Sequence, residues 1–367
     1  MISRESRAYS ISRRRFVCAS LAASATVVGA PALLIGRNAW ARGKEIYVGI
    51  WAGAQGEYIT KNIVPQFEAD FQCKVHLEEG NTLGQVAKVR AQRDNPRFTV
   101  MFVDDFAVDM LKQENLIDPL PVEDRSSFRS LDPRFLISDN HGVGIAVSIS
   151  GLFYNPQSTK RPESYASLWL PANRKNITLS SIKTTGGMNF VIAAAAVATG
   201  KSLLEAQYLG DEGFKKLAEL APNVLNQYTT PSQAASLVAQ GEVGIGGLSN
   251  SKWIYPYTRQ GSAVDMAYAA EGSFPGVNCQ VLVKNSPNQD VGLAFMERML
   301  DPHVQKRLAE FSLSAPTIKD IKFDPEILRY IPYPADELDK RGIKELDWGY
   351  LNKVRADWVN KWNRALA

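Results

Sequence analysis

The sequence predicts an α/β fold with two lobes, and three observations support this prediction. The chain has 367 residues, which is enough for two domains of ordinary size. Short β-branched and aromatic segments alternate with helical patterns, as is typical of βαβ units and mostly parallel sheets. A longer strand-like segment, 142–155, lies between two sets of such units and has turn-forming residues on both sides. We expect this segment to carry the chain from one lobe to the other, with a separate sheet in each lobe.

The first 41 residues have the pattern of an export signal. Three arginines within 12–17 precede an uncharged run, 16–36, and Ala39–Ala41 supplies small residues for cleavage. The paired arginines after a serine resemble the twin-arginine signal. We therefore expect cleavage near Ala41 and a periplasmic mature protein. The alternative is an uncleaved membrane anchor, which the weak hydrophobicity of the run disfavours.

The net charge bears on a nucleic-acid partner, and the cysteine content bears on disulfide bonds. Residues 1–41 carry a net charge of +5 in a chain of net charge +4, so the remainder is near −1. No basic stripe is left, and we expect no nucleic-acid partner. Cys73 and Cys279 are far apart in sequence, and we expect two buried thiols rather than a disulfide.

The first lobe is predicted to contain three strand-and-helix units. The helix after the first strand extends to about Phe71, and Pro65 within it predicts a kink or a late start. The apolar run 98–103 is typical of a parallel strand covered on both faces, and Asp104 and Asp105 open the helix after it. The expected strands are 44–51, 73–77 and 98–103.

The second lobe follows the crossing segment. A helical segment is expected at 164–170, an alanine-rich helix at about 188–198, and another helix after Thr230 as its cap. The expected strands are 177–180, 223–228, 243–248 and 264–269. We expect the domain limits to be 1–41 for the signal, 42–148 and 275–312 for lobe 1, 149–274 for lobe 2, and 313–367 for a C-terminal helical segment.

The end of the chain returns to the first lobe. Residues 277–283 form a strand there, and Ser286 begins the helix that follows it. The last helix has an apolar stripe formed by Leu351, Val354, Trp358, Trp362 and Leu366. Its other face carries Lys353, Arg355, Asp357 and Lys361, so we expect this helix to dock on a lobe through the stripe.

Loops at the carboxyl ends of the strands are expected to converge on a cleft between the lobes. One of the two acids after the third strand can cap a helix, which leaves the other for a cation. The loop 184–187 offers hydroxyls and backbone N–H groups at a helix start, either as an anion site or as an ordinary cap. The candidate ligand-binding residues are Trp51, Gln55, Asn81, Thr82, Asp104, Asp105, Ser150, Thr184, Thr185, Gly186, Ser249, Asn250 and Glu271.

Catalytic and metal motifs are absent from the sequence. The three histidines are scattered, and the two cysteines that follow the export signal cannot form a metal quartet. There is no G-x-S-x-G elbow and no phosphate-binding G-x-x-x-x-G-K loop. We therefore expect no catalytic residue, no metal ligand and no cofactor.

Three motifs in order resemble the solute-binding proteins of ABC importers, in the group of spermidine/putrescine, ferric-iron and thiamine receptors. They are Y-V-G-I-W-A-G-A-Q-G (47–56), S-I-S-G-L-F-Y-N (148–155) and T-T-P-S-Q-A-A-S-L-V-A-Q-G-E-V-G-I-G (229–246). The resemblance implies the type II periplasmic binding protein fold, with two mostly parallel lobes joined by crossing hinge strands. It also implies a monomer that closes on a small solute and delivers it to an inner-membrane permease.

The resemblance leaves the solute open. The second-lobe loops carry Thr184, Thr185, Ser249 and Asn250 where a polyamine receptor is expected to offer carboxylates. Our hypothesis is therefore a small cationic or zwitterionic amine, with its cation toward Asp104, Asp105 and Trp51, and any acid group toward 184–187. Ferric iron and thiamine are alternatives within the family. An exported hydrolase or lyase with a carboxylate pair, or a subunit that presents ligand to a sensor, are alternatives outside that role.

Overall fold

The computed structural model describes residues 39–340 and 346–366. Most of the predicted export signal lies outside these residues. The three that belong to it, Ala39–Ala41, form a short 3-10 helix in which Ala41 is buried. Within the described ranges, none of the helices has the length and apolar content needed to cross a bilayer.

The strands form one hydrogen-bonded sheet with the main order β2-β1-β3-β11-β6-β9-β7-β8. Short strands β4, β5 and β10 pair at its margins, β4 with β11 and the other two with β6. The strands are β1 (Glu45–Trp51), β2 (Lys74–Gly80), β3 (Val100–Asp104), β4 (Ile117–Asp118), β5 (Leu136–Ile137), β6 (Gly142–Tyr154), β7 (Ile177–Ser180), β8 (Val224–Tyr228), β9 (Ile245–Asn250), β10 (Asp265–Ala267) and β11 (Phe274–Val283).

The helices connect these strands and cover the sheet. A π-helical segment, Ile59–Ile63, joins the first two helices just before Pro65, where the missing N–H interrupts α-helical bonding. The helices are α1 (Ala54–Tyr58), α2 (Val64–Phe71), α3 (Thr82–Ala91), α4 (Asp105–Gln113), α5 (Thr185–Thr199), α6 (Leu203–Ala206), α7 (Gly210–Leu220), α8 (Pro231–Ala239), α9 (Ser251–Arg259), α10 (Gln289–Arg298), α11 (Pro302–Ser312), α12 (Pro325–Leu328), α13 (Asp336–Lys340) and α14 (Trp348–Ala365).

Strand β6 crosses between two halves of the sheet, as the sequence predicts. Its first part is antiparallel to β11 and its last part is antiparallel to β9. We call β2-β1-β3-β11 the first half and β9-β7-β8 the second half; β2, β1 and β3 are parallel, as are β9, β7 and β8. The expectation of two separate sheets is wrong in one detail. Because β6 pairs with both halves, the hydrogen-bonded ladder runs through it without a break.

Both ladders of β6 contain a register shift. In the ladder with β11 the shift lies between Asn278 and Cys279, and in the ladder with β9 it lies between Gly151 and Phe153. Such irregularities increase the local twist of a strand and change the direction of the ladder.

Several element boundaries differ from the sequence-based expectation. The segment expected to be helical at 164–170 is a 3-10 helix, Tyr165–Trp169. Helix α10 starts at Gln289 after a left-handed Asn288, because the Ser286 hydroxyl donates to the Val283 carbonyl oxygen and does not cap the helix. Helices α6 and α7 were not predicted. Cys73 and Cys279 are both buried and are not bonded to each other, as expected.

Helix α14 packs against both halves of the molecule. Trp358 contacts Phe214 of α7 edge-on, with 5.7 Å between ring centroids, on the side of the second half. On the side of the first half, Asn352 Nδ2 donates to the Phe106 carbonyl oxygen at 2.9 Å. The expected docking of the apolar stripe is therefore confirmed, although the helix covers both halves rather than one. The predicted domain limits stay a prediction.

Candidate functional site

A cavity of about 600 Å³ lies where strand-end loops of the two halves face each other. Asp104 of the first half and Thr184 of the second half both line it, as a two-lobed receptor requires. Its walls are formed by Asn81, Thr82, Leu83, Asp104, Phe106, Ser150, Ser180, Lys183, Thr184, Thr185, Gly186, Thr229, Pro231, Leu248, Ser249, Asn250, Trp253 and Arg355.

The structure brings most of the candidate ligand-binding residues to this cavity. Four of them do not line it: Trp51, Gln55, Asp105 and Glu271. Nine do: Asn81, Thr82, Asp104, Ser150, Thr184, Thr185, Gly186, Ser249 and Asn250. The predicted convergence of strand ends therefore brings together residues that are far apart in sequence.

Asp104 is the acid of the cavity, and neighbouring side chains hold both of its oxygens. Thr82 Oγ1 donates to Asp104 Oδ2 at 2.8 Å, and Asn278 Nδ2 donates to Asp104 Oδ1 at 3.0 Å. Trp51 Nε1 donates to the same threonine hydroxyl oxygen at 3.2 Å. Trp51 therefore orients Thr82 from behind and does not line the cavity where the cation of the solute was expected.

Lys252 extends this network from the second half. Its ammonium group donates to Asn278 Oδ1 at 2.6 Å and to Gln55 Oε1 at 3.4 Å. Burial lowers the pKa of Lys252 to about 8, against the charge of Asp104. Burial also raises the pKa of Asp104, and Lys252 is the first of the groups that oppose this shift. Asp104 thus has a cationic neighbour that reaches it through Asn278.

The other two predicted acids are used locally. Asp105 is buried in the first turn of α4, and its Oδ1 accepts a hydrogen bond from the Phe106 N–H. Glu271 accepts hydrogen bonds from the Ser164 hydroxyl and the Tyr165 N–H, at the start of a 3-10 helix. These positions explain why only one of the three candidate carboxylates reaches the cavity.

The N-terminus of α5 forms the wall of the cavity in the second half. Thr184 is the N-cap residue, and its hydroxyl oxygen accepts from the Gly187 N–H at 3.3 Å. A Cβ atom on Gly186 would lie 2.3 Å from the Leu248 carbonyl oxygen, so glycine allows α5 to approach β9 closely. Free N–H groups and the helix dipole make this end favourable for an anion.

Polar groups beside this helix end add to that character. Lys183 lines the cavity immediately before the cap. Ser249 is 5% exposed, and its hydroxyl has no hydrogen-bond partner among the residues that the structure describes. Both the cap role and the anion role considered for 184–187 are therefore compatible with the geometry.

Arg355 of α14 is a cavity residue that the sequence analysis placed on the outer face of the last helix. That placement is wrong because α14 packs on both halves of the molecule, and Arg355 lines the cavity between them while Lys353 stays exposed. The guanidinium carbon lies 4.6 Å from the centre of the Phe106 ring. Burial lowers the pKa of Arg355, and the charge of Asp104 opposes this shift. An apolar stripe predicts which face docks, but it does not show what the opposite face meets.

The charged side chains of the cavity wall are Asp104, Lys183 and Arg355, which gives a net positive charge. In the described ranges, no three His, Cys, Asp or Glu side chains lie together as a metal site would need. The site is thus a cavity with hydroxyl and amide groups, two cations and one carboxylate that is already hydrogen-bonded.

Comparison with known proteins gives the family and the fold. The profile of the family described as bacterial extracellular solute-binding protein matches residues 62–334. The spermidine/putrescine-binding periplasmic protein of Escherichia coli (strain K12) is 22% identical over 321 residues, 83% of this chain and 88% of that protein. The solved Atu4243-GABA receptor superposes with a TM-score of 0.74 at 20% identity, over 88% of this chain and 98% of that one.

A second solved structure shows the same architecture with a different solute. It is the periplasmic binding protein AfuA from Actinobacillus pleuropneumoniae with fructose-6-phosphate bound. Its TM-score is 0.69 at 17% identity, over 88% of this chain and 98% of that one. The fold therefore leaves the solute to be argued from the cavity itself.

Proposed function

This chain belongs to the bacterial extracellular solute-binding proteins, and from that membership we propose that it captures a small solute between its two halves and delivers it to the permease of an ABC importer. The periplasmic names of its relatives and the twin-arginine-like N-terminus support export to the periplasm. The protein acts as a monomer and catalyses no reaction. Among the described residues, the cavity wall has one carboxylate, which disfavours the alternative of a hydrolase or lyase that uses a carboxylate pair.

The solute carries at least one acidic group. The observation that supports this most is the charge of the wall, where Lys183 and Arg355 outnumber Asp104. The N-terminus of the 15-residue helix α5 adds a favourable place for negative charge. A solute with an acidic group would therefore gain from the electrostatic potential of the cavity.

A polyamine fits this wall less well than a zwitterion. A diamine needs a carboxylate near each end, and Asp104 alone supplies one among the described residues of the wall. A zwitterion can place its amine near Asp104 and its acid group near the cations and the helix start of the same wall. Relatives with the same fold are named for spermidine/putrescine and for GABA, so both kinds of amine are represented around this chain.

The alternatives of ferric iron and thiamine find little support in the cavity. A ferric-iron receptor is expected to offer neighbouring tyrosines as ligands. Tyr255 and Tyr268 are neighbours, with a hydroxyl–hydroxyl hydrogen bond of 2.9 Å, but they do not line the cavity. A thiamine cation would meet the same net positive wall as a polyamine.

A matched set of four-carbon solutes tests the charge preference. Putrescine, γ-aminobutyrate and succinate have chains of the same length with two, one and no ammonium groups. We expect γ-aminobutyrate or succinate to raise the melting temperature of the protein and to bind in titration calorimetry, because a ligand of the folded state stabilises it. Stabilisation by putrescine alone would contradict the proposal. Mass analysis of the recovered solute after long incubation would reveal any reaction product.

A further inference from the structure

Arg355 has an unused pair of hydrogen-bond donors beside the cavity. Its Nε and Nη2 atoms are both buried, and neither has a hydrogen-bond partner within the part of the chain that the structure describes. We propose that Arg355 binds the acid group of the solute, a carboxylate or a phosphate, so that the C-terminal helix is part of the binding site. This inference rests on the proposed function of the cavity, and it names the residue that recognises the acid.

The two free donors point to a ligand with paired oxygens. The Nε and Nη2 hydrogens lie along one edge of the planar guanidinium group, parallel to each other. This edge matches the two oxygens of a carboxylate or phosphate, which accept both hydrogens in a bidentate pair. Buried donors without partners lose their hydration without replacement, so an incoming oxyanion gains both hydrogen bonds.

Asp104 does not take this role from the solute. Its two oxygens accept hydrogen bonds from Thr82 and Asn278, and the structure records none from Arg355. The charge of Asp104 still acts on Arg355 at a distance, which lowers the cost of keeping the cation buried. The guanidinium edge therefore stays available while its charge is partly balanced.

The position of Arg355 is fixed before the solute arrives. Its guanidinium group stacks on the Phe106 ring, and one turn earlier Asn352 bonds to the Phe106 carbonyl oxygen. On the other side, Trp362 Nε1 donates to Gln227 Oε1 at 2.8 Å. The helix is thus held on both sides of the cleft and the guanidinium group rests on Phe106, so Arg355 loses little freedom on binding, which favours affinity.

The test compares R355Q, R355K and K353Q with the wild-type protein. Lys353 is exposed on the same helix, so K353Q removes one positive charge outside the cavity. The probes are γ-aminobutyrate, succinate, fructose-6-phosphate, inorganic phosphate and putrescine. For any acid-bearing probe that the wild type binds, R355Q should weaken affinity about 30-fold or more, as expected for loss of a desolvated charge pair. R355K should recover part of the loss, and K353Q should change affinity less than about twofold.

The outcomes separate the two proposals. Equal affinity of wild type and R355Q for an acid-bearing probe would overturn the role of Arg355 and leave the proposed function standing. If no acid-bearing probe stabilises the wild type, inorganic phosphate included, both proposals fail. Loss with the carboxylates alone, or with the phosphates alone, would identify which oxyanion Arg355 binds.

The melting temperature of the ligand-free variants distinguishes binding from support of the helix. Removing a buried cation without hydrogen-bond partners should leave the melting temperature of R355Q equal to or above that of the wild type. A lowered melting temperature together with unchanged solute affinity would show that Arg355 only holds α14 on Phe106, and this would overturn the inference.

Discussion

Asn278 connects Asp104 of the cavity wall to Lys252, and replacing it with alanine tests how strongly the two charges depend on it. The side chain is 4% exposed, accepts a hydrogen bond from Lys252 at 2.6 Å and donates one to Asp104 at 3.0 Å. A hydrogen bond to a charged group contributes about 2 kcal/mol to stability. Because N278A removes two, we expect the free energy of unfolding to fall by about 4 kcal/mol.

Asn223 provides the matched control. It is also buried, and its side-chain amide donates to the carbonyl oxygens of Leu168 and Leu170, which are uncharged. Two neutral hydrogen bonds contribute about 1 kcal/mol each, so N223A should cost about 2 kcal/mol. Both substitutions remove the same atoms, so the difference between them reports the two charges.

Urea unfolding of both variants measures this difference from the transition midpoints and slopes. The excess cost of N278A should largely disappear in a D104N/K252M background, where neither charge remains. A cost of N278A no larger than that of N223A would refute the reasoning, because it would mean that Asp104 and Lys252 do not need the bridging amide.

Three further predictions concern Lys252, Gly186 and the cysteines. The pKa of Lys252 is about 8 in the folded protein, against 10.5 for a free lysine. Between pH 8 and 10.5 the unfolded chain therefore binds more protons than the folded one, and buried Lys252 destabilises the fold less as the pH rises. Between these pH values the free energy of unfolding of the wild type should therefore increase relative to that of K252M. A difference that stays constant with pH would contradict the burial of a charged amine. A Cβ atom at Gly186 would lie 2.3 Å from the Leu248 carbonyl oxygen, so G186A should lower the free energy of unfolding by about 1–3 kcal/mol and weaken solute binding. The control is G349A, which should be nearly neutral because its Cβ would meet nothing closer than 3.3 Å. Burial raises the pKa of the Cys73 thiol to about 11, so iodoacetamide should modify it far more slowly in the folded than in the unfolded protein. A reductant should leave the melting temperature unchanged because Cys73 and Cys279 are not bonded to each other, and a drop would reveal a disulfide.

The sequence was sufficient to predict the architecture because strand-and-helix alternation is a local signal. The crossing strand, the return of 277–283 to the first half and the last helix were all predicted near their observed positions. The misses come from interactions that the periodic pattern does not contain. Ser286, for example, bonds to a preceding carbonyl oxygen and leaves the helix start to Asn288.

The sequence predicts those residues of the binding site that lie at the ends of strands. Nine candidate residues line the cavity because carboxyl ends of parallel strands meet at one edge. Asp105 was counted with them because it follows the third strand, and Glu271 because the chain returns to the first half there. Whether a carboxylate faces a ligand or a backbone N–H depends on a single turn of chain. Arg355 was missed since its place depends on where a distant helix crosses the molecule.

Strand β6 belongs to the sheet of both halves. All 13 of its residues are buried, and the same backbone supplies a neighbour to β11 on one flank and to β9 on the other. Unfolding of either half would remove one of these two neighbours of β6, and the other half also depends on β6. Despite its bilobal outline, the protein should therefore denature as one body, and scanning calorimetry should record a single endotherm in place of two.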